Sequence, residues 1–192
     1  MKPIQRDEVL GLGEYEQIRA RFRARVIEEK KARRVTISDI MSVAFENRDS
    51  VLLQIQEMLR AERISAEHAI KHEIDTYNEL VPGPSQLSLT LFVEIADKEK
   101  REAELVALAG LESSVFVVVD GARFQAKGED RSVEGIARTT ALHYLKADLS
   151  DEARRAIHDR KAKVSIVIDH PRHPREVELQ GEVLRSLATD FE

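Results

Sequence analysis

The sequence predicts an α+β fold: a mixed or mostly antiparallel sheet with packed helices, preceded by an N-terminal helical portion that contains a helical hairpin. Three observations carry this reading. Apolar residues recur at helical spacing through much of the first eighty positions, whereas alternating and β-branched runs concentrate after Pro84. A tight-turn signal, Asp120-Gly121, interrupts the strand–helix alternation that a doubly wound parallel sheet needs. The chain has 192 residues, 42% of them hydrophobic, with eight Gly and five Pro, which suits a globular domain with a sizeable core.

Arg6 to about Lys31 reads as helix, because Tyr15, Ile18, Phe22 and Val26 share one face. Gly11 and Gly13 divide it into a short and a longer piece. Arg34–Ile37 and Met41–Phe45 read as two short strands around a Ser38-Asp39 turn. From about Asp49 to Arg63, Val51, Leu52, Ile55, Met58 and Leu59 form a core-facing helical stripe. Asn47 or Asp49 caps it, since a short polar side chain can accept from the free amides of the first turn. Ser65 is expected to cap the next helix, which runs to about Leu80 with Ile70, Ile74, Tyr77 and Val81 inward. The short joint between the two makes an antiparallel hairpin. Pro82-Gly83-Pro84 ends this half.

Leu87–Ile95 alternates, with Leu87, Leu89, Leu91, Val93 and Ile95 opposite Ser88, Thr90 and Glu94, and so predicts a strand with one buried face. Asp97 caps a helix that ends near Gly110. Val115–Val119 is a buried strand, Asp120-Gly121 a type I′ turn and Arg123–Ala126 the return strand. A polar loop covers Lys127–Gly135. Thr139–Lys146 reads as strand, Ser150 caps a helix through about His158, and Val164–Ile168 is the most β-branched strand. After a His170–Pro174 loop, a short strand over Glu176–Leu179 leads to a last helix ending at Phe191. Leu149, Glu152, Arg155 and Ile157 recur thirty positions later as Leu179, Glu182, Arg185 and Leu187, a faint echo of two similar strand-to-helix junctions. Residues 1–84 and 85–192 are expected to form one domain around a shared core.

Composition excludes several functions. Without Cys there are no disulfides, no thiol catalysis and no cysteine-ligated iron–sulfur cluster. Without Trp, and with 5% aromatics, a base-stacking platform is disfavoured. No stretch approaches the roughly 18 apolar residues of a membrane span, and no secretory signal opens the chain, so a cytoplasmic location without membrane partners is expected. Gly-x-Ser-x-Gly, Walker and Gly-x-Gly-x-x-Gly patterns are absent. The net charge of −5 is uneven: residues 1–34 carry ten Lys/Arg against six Asp/Glu, the remainder twenty against twenty-nine. Such a basic arm suits docking on its own acidic body or on an acidic partner, but a solvated charged helix is the favoured reading. Nucleic-acid binding is disfavoured, because apart from Phe22 the arm lacks interleaved aromatics.

Two histidine constellations have ligand spacing for a divalent transition metal. His68, His72, Asp75 and Glu79 fall at i, i+4, i+7 and i+11 of a helix, where two imidazoles and an Asp75 oxygen can hold one ion. The same stripe also describes any solvated helix face. Asp169, His170 and His173 occupy a Pro-stiffened loop after a buried strand, a favoured place for a site and equally for a plain surface turn. A third group, Glu46, Arg48, Gln56, Glu57, Arg60 and Arg63, is dense enough for an interaction surface, since Arg forks recognise carboxylate or phosphate. Ion pairing between neighbouring helices is its competing and favoured explanation.

The run FENRDSVLLQIQEMLRAERI (Phe45 to Ile64), the segment His72 to Asn78, Pro82-Gly83, the opening Lys2-Pro3-Ile4 with Arg6-Asp7-Glu8, and Asp169-His170-Pro171 together resemble the bacterial family DUF3501 over nearly the whole chain. Asp49-Ser50 departs from the threonine-containing version of that run. The family has no assigned function. The resemblance implies company with rubrerythrin-like or iron–sulfur oxidoreductase proteins, and so a role beside iron or peroxide-related redox chemistry, but it supplies no catalytic residue. The sequence therefore ranks a non-catalytic accessory or interaction protein first. A metal-binding protein or metal-dependent enzyme with a His/carboxylate site comes second. Anion or nucleic-acid binding through the basic N-terminal helix comes third.

Overall fold

The computed structural model describes residues 1–128 and 138–191. Its elements are α1 (Leu12–Lys31), β1 (Arg34–Thr36), β2 (Met41–Glu46), α2 (Arg48–Ala61), α3 (Glu67–Asn78), β3 (Gln86–Val93), α4 (Lys98–Ala107), β4 (Val115–Val119), β5 (Ala122–Lys127), β6 (Leu142–Asp148), α5 (Asp151–His158), β7 (Val164–Ile168), β8 (Arg175–Glu178) and α6 (Gly181–Ala188). The strands form one sheet in the order β1-β2-β3-β6-β5-β4-β7-β8, and every pairing between neighbours is antiparallel. The fold is α+β, as the sequence predicts. No helix among the described residues is long and apolar enough to cross a membrane.

Local chemistry sets many of the boundaries. Asp120 and Gly121 both take positive φ (47° and 87°), as a type I′ turn requires. Asn47 caps α2 by accepting from Ser50 N at 2.8 Å, Asp97 caps α4 from Lys100 N at 2.8 Å, and Ser150 caps α5 from Ala153 N at 3.2 Å. Ser65 does not cap α3. Arg63 takes a left-handed φ of 53° as the chain leaves α2, and α3 begins at Glu67 with Ala66 in the cap position. The N-terminal piece is a short 3-10 turn over Arg6–Glu8, α1 starts after Gly11, and Gly13 lies inside the helix. β6 begins at Leu142 rather than Thr139, whose amide donates to Leu105 O in the last turn of α4 (3.0 Å). Of the expected Lys127–Gly135 loop, residues 129–135 lie outside the described residues.

The sheet has two differently built faces. Val43, Phe45, Leu87, Leu89, Leu91, Leu145 and Ala147 point to one side and cluster with Val115, Val117, Val164 and Ile166, under Leu105 of α4, Ile157 of α5 and Leu187 of α6. On the other side, α2, α3 and the N-terminal segment form a second cluster of Ile4, Val9, Val51, Ile55, Leu59, Ile70 and Ile74, with Tyr144 of β6 packed against it. The buried apolar residues thus form two clusters, the larger of which joins Val35, Met41, Val43 and Phe45 of the first half to the second half. β3 is covered on both faces, not one, since Ser88 and Thr90 are as buried as the leucines. Apart from Leu12, which packs against the second cluster, α1 lies outside both clusters and packs chiefly on α2. Of its predicted face Tyr15 and Val26 are buried, while Ile18 is 44% exposed because Arg19, not Ile18, turns toward α2.

Candidate functional site

The histidine constellations sit in separate neighbourhoods. His68, His72, Asp75 and Glu79 lie on the exposed side of α3, opposite the buried Ile70 and Ile74. In the β7–β8 loop, His170 is buried; its Nε2 donates to Ala109 O (3.1 Å) and its Nδ1 accepts from Arg172 N (3.3 Å), partners that assign one neutral tautomer. His173 Nε2 pairs with Ser38 Oγ at 2.9 Å, and burial, followed by nearby Arg175, holds its pKa below the ordinary imidazole value. Asp169 accepts from Arg123 at 2.7 Å. Among the described residues, no group of three or more His, Cys, Asp or Glu is placed to hold a metal ion. His170 spends both ring nitrogens on backbone partners, and His173 Nε2 meets a hydroxyl.

The proposed interaction cluster is largely turned inward on the protein itself. Gln56 is buried and bonds both the amide and the carbonyl of Leu10 (2.7 and 3.2 Å). Arg48 pairs with Glu8 and donates to Lys2 O, and Arg60 pairs with Glu16. Glu57 accepts a fork from Arg19 (2.8 and 2.8 Å) and a bond from Tyr15 OH (2.7 Å). Chiefly through Arg19, with help from Tyr15, the Glu57 carboxyl is held down at about 2. Burial, and then Glu57, pushes the Tyr15 phenol up. Arg25 of α1 pairs with Asp49 at 2.6 Å. The basic arm thus docks on its own acidic body. Arg63 stays exposed at the end of α2.

Glu46 and Arg33 are buried charges that periodicity does not reveal. The Glu46 carboxylate accepts from Thr90 Oγ1 (2.8 Å) and Ser50 Oγ (2.5 Å), with Lys30 Nζ at 3.5 Å. The Arg33 guanidinium, 1% exposed, donates to Phe45 O, Glu46 O and Ser186 and forks onto Asp190 at 2.9 and 2.5 Å. Burial pushes the Asp190 carboxyl up, and Arg33 pulls it back. This pair pins the C-terminal turn to the end of β2.

Where α3 ends, the helical layer stops short of covering β6, leaving a cleft of about 300 Å³. Tyr77, Glu79 and Leu80 form one wall; Leu142, Tyr144 and Lys146 of β6 form the floor, with Ser88 beside them and Lys127 and Gly128 at the rim. Tyr77 is half-buried, and burial, followed by Glu73, raises its pKa while Gln54 hydrogen-bonds it. Lys146 donates to Val81 O at 2.9 Å. Burial lowers its pKa against the pull of Glu79 and Asp148. A side chain at Gly128 would strike the Tyr144 carbonyl oxygen, so glycine is what lets the two backbones meet at this rim. At the back of β6, His143 Nε2 meets Thr139 Oγ1 (3.0 Å), which donates to Glu112 (2.9 Å). Sequence patterning marks Tyr77 only as a core residue and leaves Lys127 and Lys146 without distinction.

Comparison with known proteins adds family and fold. The family model described as protein of unknown function (DUF3501) matches residues 3–191. A crystal structure described as a novel protein of unknown function from Burkholderia pseudomallei K96243 is similar over 100% of both chains, with 35% sequence identity and a TM-score of 0.91. No curated protein matches the chain.

Proposed function

This chain belongs to the DUF3501 family, and we propose that it is a non-catalytic binding protein whose site is the cleft between α3 and β6. The observation that carries the reading is the composition of that cleft. It joins apolar walls to a small number of convergent polar groups, Tyr77, Glu79, Ser88 and Lys146, which is the make-up of a small-molecule site. The α1–α2 arginines are already paired within the protein with carboxylates, and the loop histidines with Ala109 and Ser38. An accessory role beside rubrerythrin-like or iron–sulfur oxidoreductase proteins rests on the family resemblance alone. Soaking crystals with a mixed set of neutral and charged aromatic fragments tests the reading. Fragments are expected to collect in the cleft; fragments spread over the surface with the cleft empty would overturn it.

A further inference from the structure

We infer that the ligand of this cleft is a small carboxylate with an apolar or aromatic body, held between Lys146 and Lys127. The inference rests on the binding role proposed above and adds the chemical class.

The register of the sheet supplies the first observation. Lys127 of β5 and Lys146 of β6 are directly opposed, and residues so paired project from the same face. Like charges directly opposite across a ladder are unfavourable unless something compensates them. Most buried or half-buried cations elsewhere in the described protein have a carboxylate: Arg33 has Asp190, Arg19 has Glu57, Arg48 has Glu8. Half-buried Lys146 and its exposed neighbour Lys127 have no ion pair with any described residue. The Lys146 ammonium makes one hydrogen bond, to Val81 O, which leaves two of its three donors available. A carboxylate placed between the two lysines satisfies those donors and offsets both charges.

The remaining lining selects among anions. Glu79 stands on the facing wall and, with Asp148, partly opposes the lowering of the Lys146 pKa by burial; it repels a dianion such as phosphate more than a singly charged carboxylate. Leu80, Leu142 and the rings of Tyr77 and Tyr144 offer an apolar enclosure for the body of the ligand. A volume of about 300 Å³ lies at the small end of ligand pockets. That fits a compact metabolite and not a dinucleotide. Ser88, beside Lys146 in the register, adds a hydroxyl.

Calorimetric titration of the intact protein with benzoate, benzamide and benzylamine separates the outcomes. These probes share one ring and differ in charge. Benzoate is expected to bind about tenfold or more tightly than benzamide, the size of one charge-assisted hydrogen bond, and benzylamine not at all. Lys146→Gln should erase the preference for benzoate over benzamide, and Lys127→Gln should reduce it without lowering the Tm of the unliganded protein. Equal binding of benzoate and benzamide, or a preference for benzylamine, would overturn the carboxylate assignment and leave the binding role standing. Binding of none of the three, with the cleft also empty in fragment-soaked crystals, would overturn both.

Discussion

On one side of β3, Leu87, Leu89, Leu91 and Val93 enter a continuous apolar cluster shared with α4, α5 and α6. On the other side Ser88 and Thr90 are buried to the same degree, yet Thr90 meets the carboxylate of Glu46, itself bonded to Ser50 at the start of α2. The apolar side holds its helices by area removed from water, which is non-directional and tolerant of repacking. The polar side holds its helices by a smaller apolar cluster together with paired donors and acceptors, which are costly when a partner is missing. At the end of α3 this layer stops, leaving Leu142, Tyr144 and Lys146 of β6 as a floor open to a ligand. The comparison locates the candidate site: it is the part of the polar face that α2 and α3 do not cover.

The largest effect should come from the ion pair that ties the C-terminal turn to β2. Asp190→Ala leaves Arg33 buried without its carboxylate and is expected to cost about 3–5 kcal/mol, read by urea denaturation. A loss below about 1 kcal/mol would show that the C-terminal turn is not held there. Next, Leu89→Ala on the apolar face should cost about 2–5 kcal/mol, through lost transfer energy and a residual cavity. On the opposite face Thr90→Val keeps the shape but removes a donor from buried Glu46, and should cost about 1–3 kcal/mol. If Thr90→Val proved neutral while Leu89→Ala did not, the polar network would be a passive filler and the contrast between faces would fail.

The strand alternation, the Asp120-Gly121 turn and the caps Asn47, Asp97 and Ser150 are legible in the sequence because each depends on a few adjacent residues. Burial of Ser88, Thr90 and Glu46 is not, since period-2 alternation cannot tell a solvated polar face from one covered by a helical layer. Arg33 and Asp190 lie 157 positions apart, amid many exposed charges of the same types. Ile18 has helical spacing but no partner, because α1 rests on α2 through Tyr15, Arg19 and Arg25. The histidine spacings are real, but spacing does not report that His170 is already bonded at both nitrogens. Of the candidate site, Tyr77 and Ser88 carry a periodic signal; the opposed lysines exist only once β5 and β6 pair.

The smallest effect is a pH dependence confined to the polar side. Glu57 has its carboxyl depressed from 4.5 to about 2 in the folded protein, so the unfolded chain takes up its proton first as the pH falls. Its contribution is therefore fully present above about 4.5 and is lost as the pH falls toward 2. Glu57→Gln should flatten that part of the Tm–pH curve, whereas Leu89→Ala should lower the curve without changing its slope there. A Glu57→Gln profile parallel to wild type between those values would remove Glu57 from the polar linkage.

Nuclear magnetic resonance of the wild-type protein titrated with benzoate tests whether the uncovered part of the polar face is a ligand site. Shifts concentrated on residues 76–80, 88, 127–128 and 142–146, saturating together, are the predicted result. Shifts confined to the α1 arginines or to the His170–Pro174 loop, with the cleft residues unmoved, would contradict it.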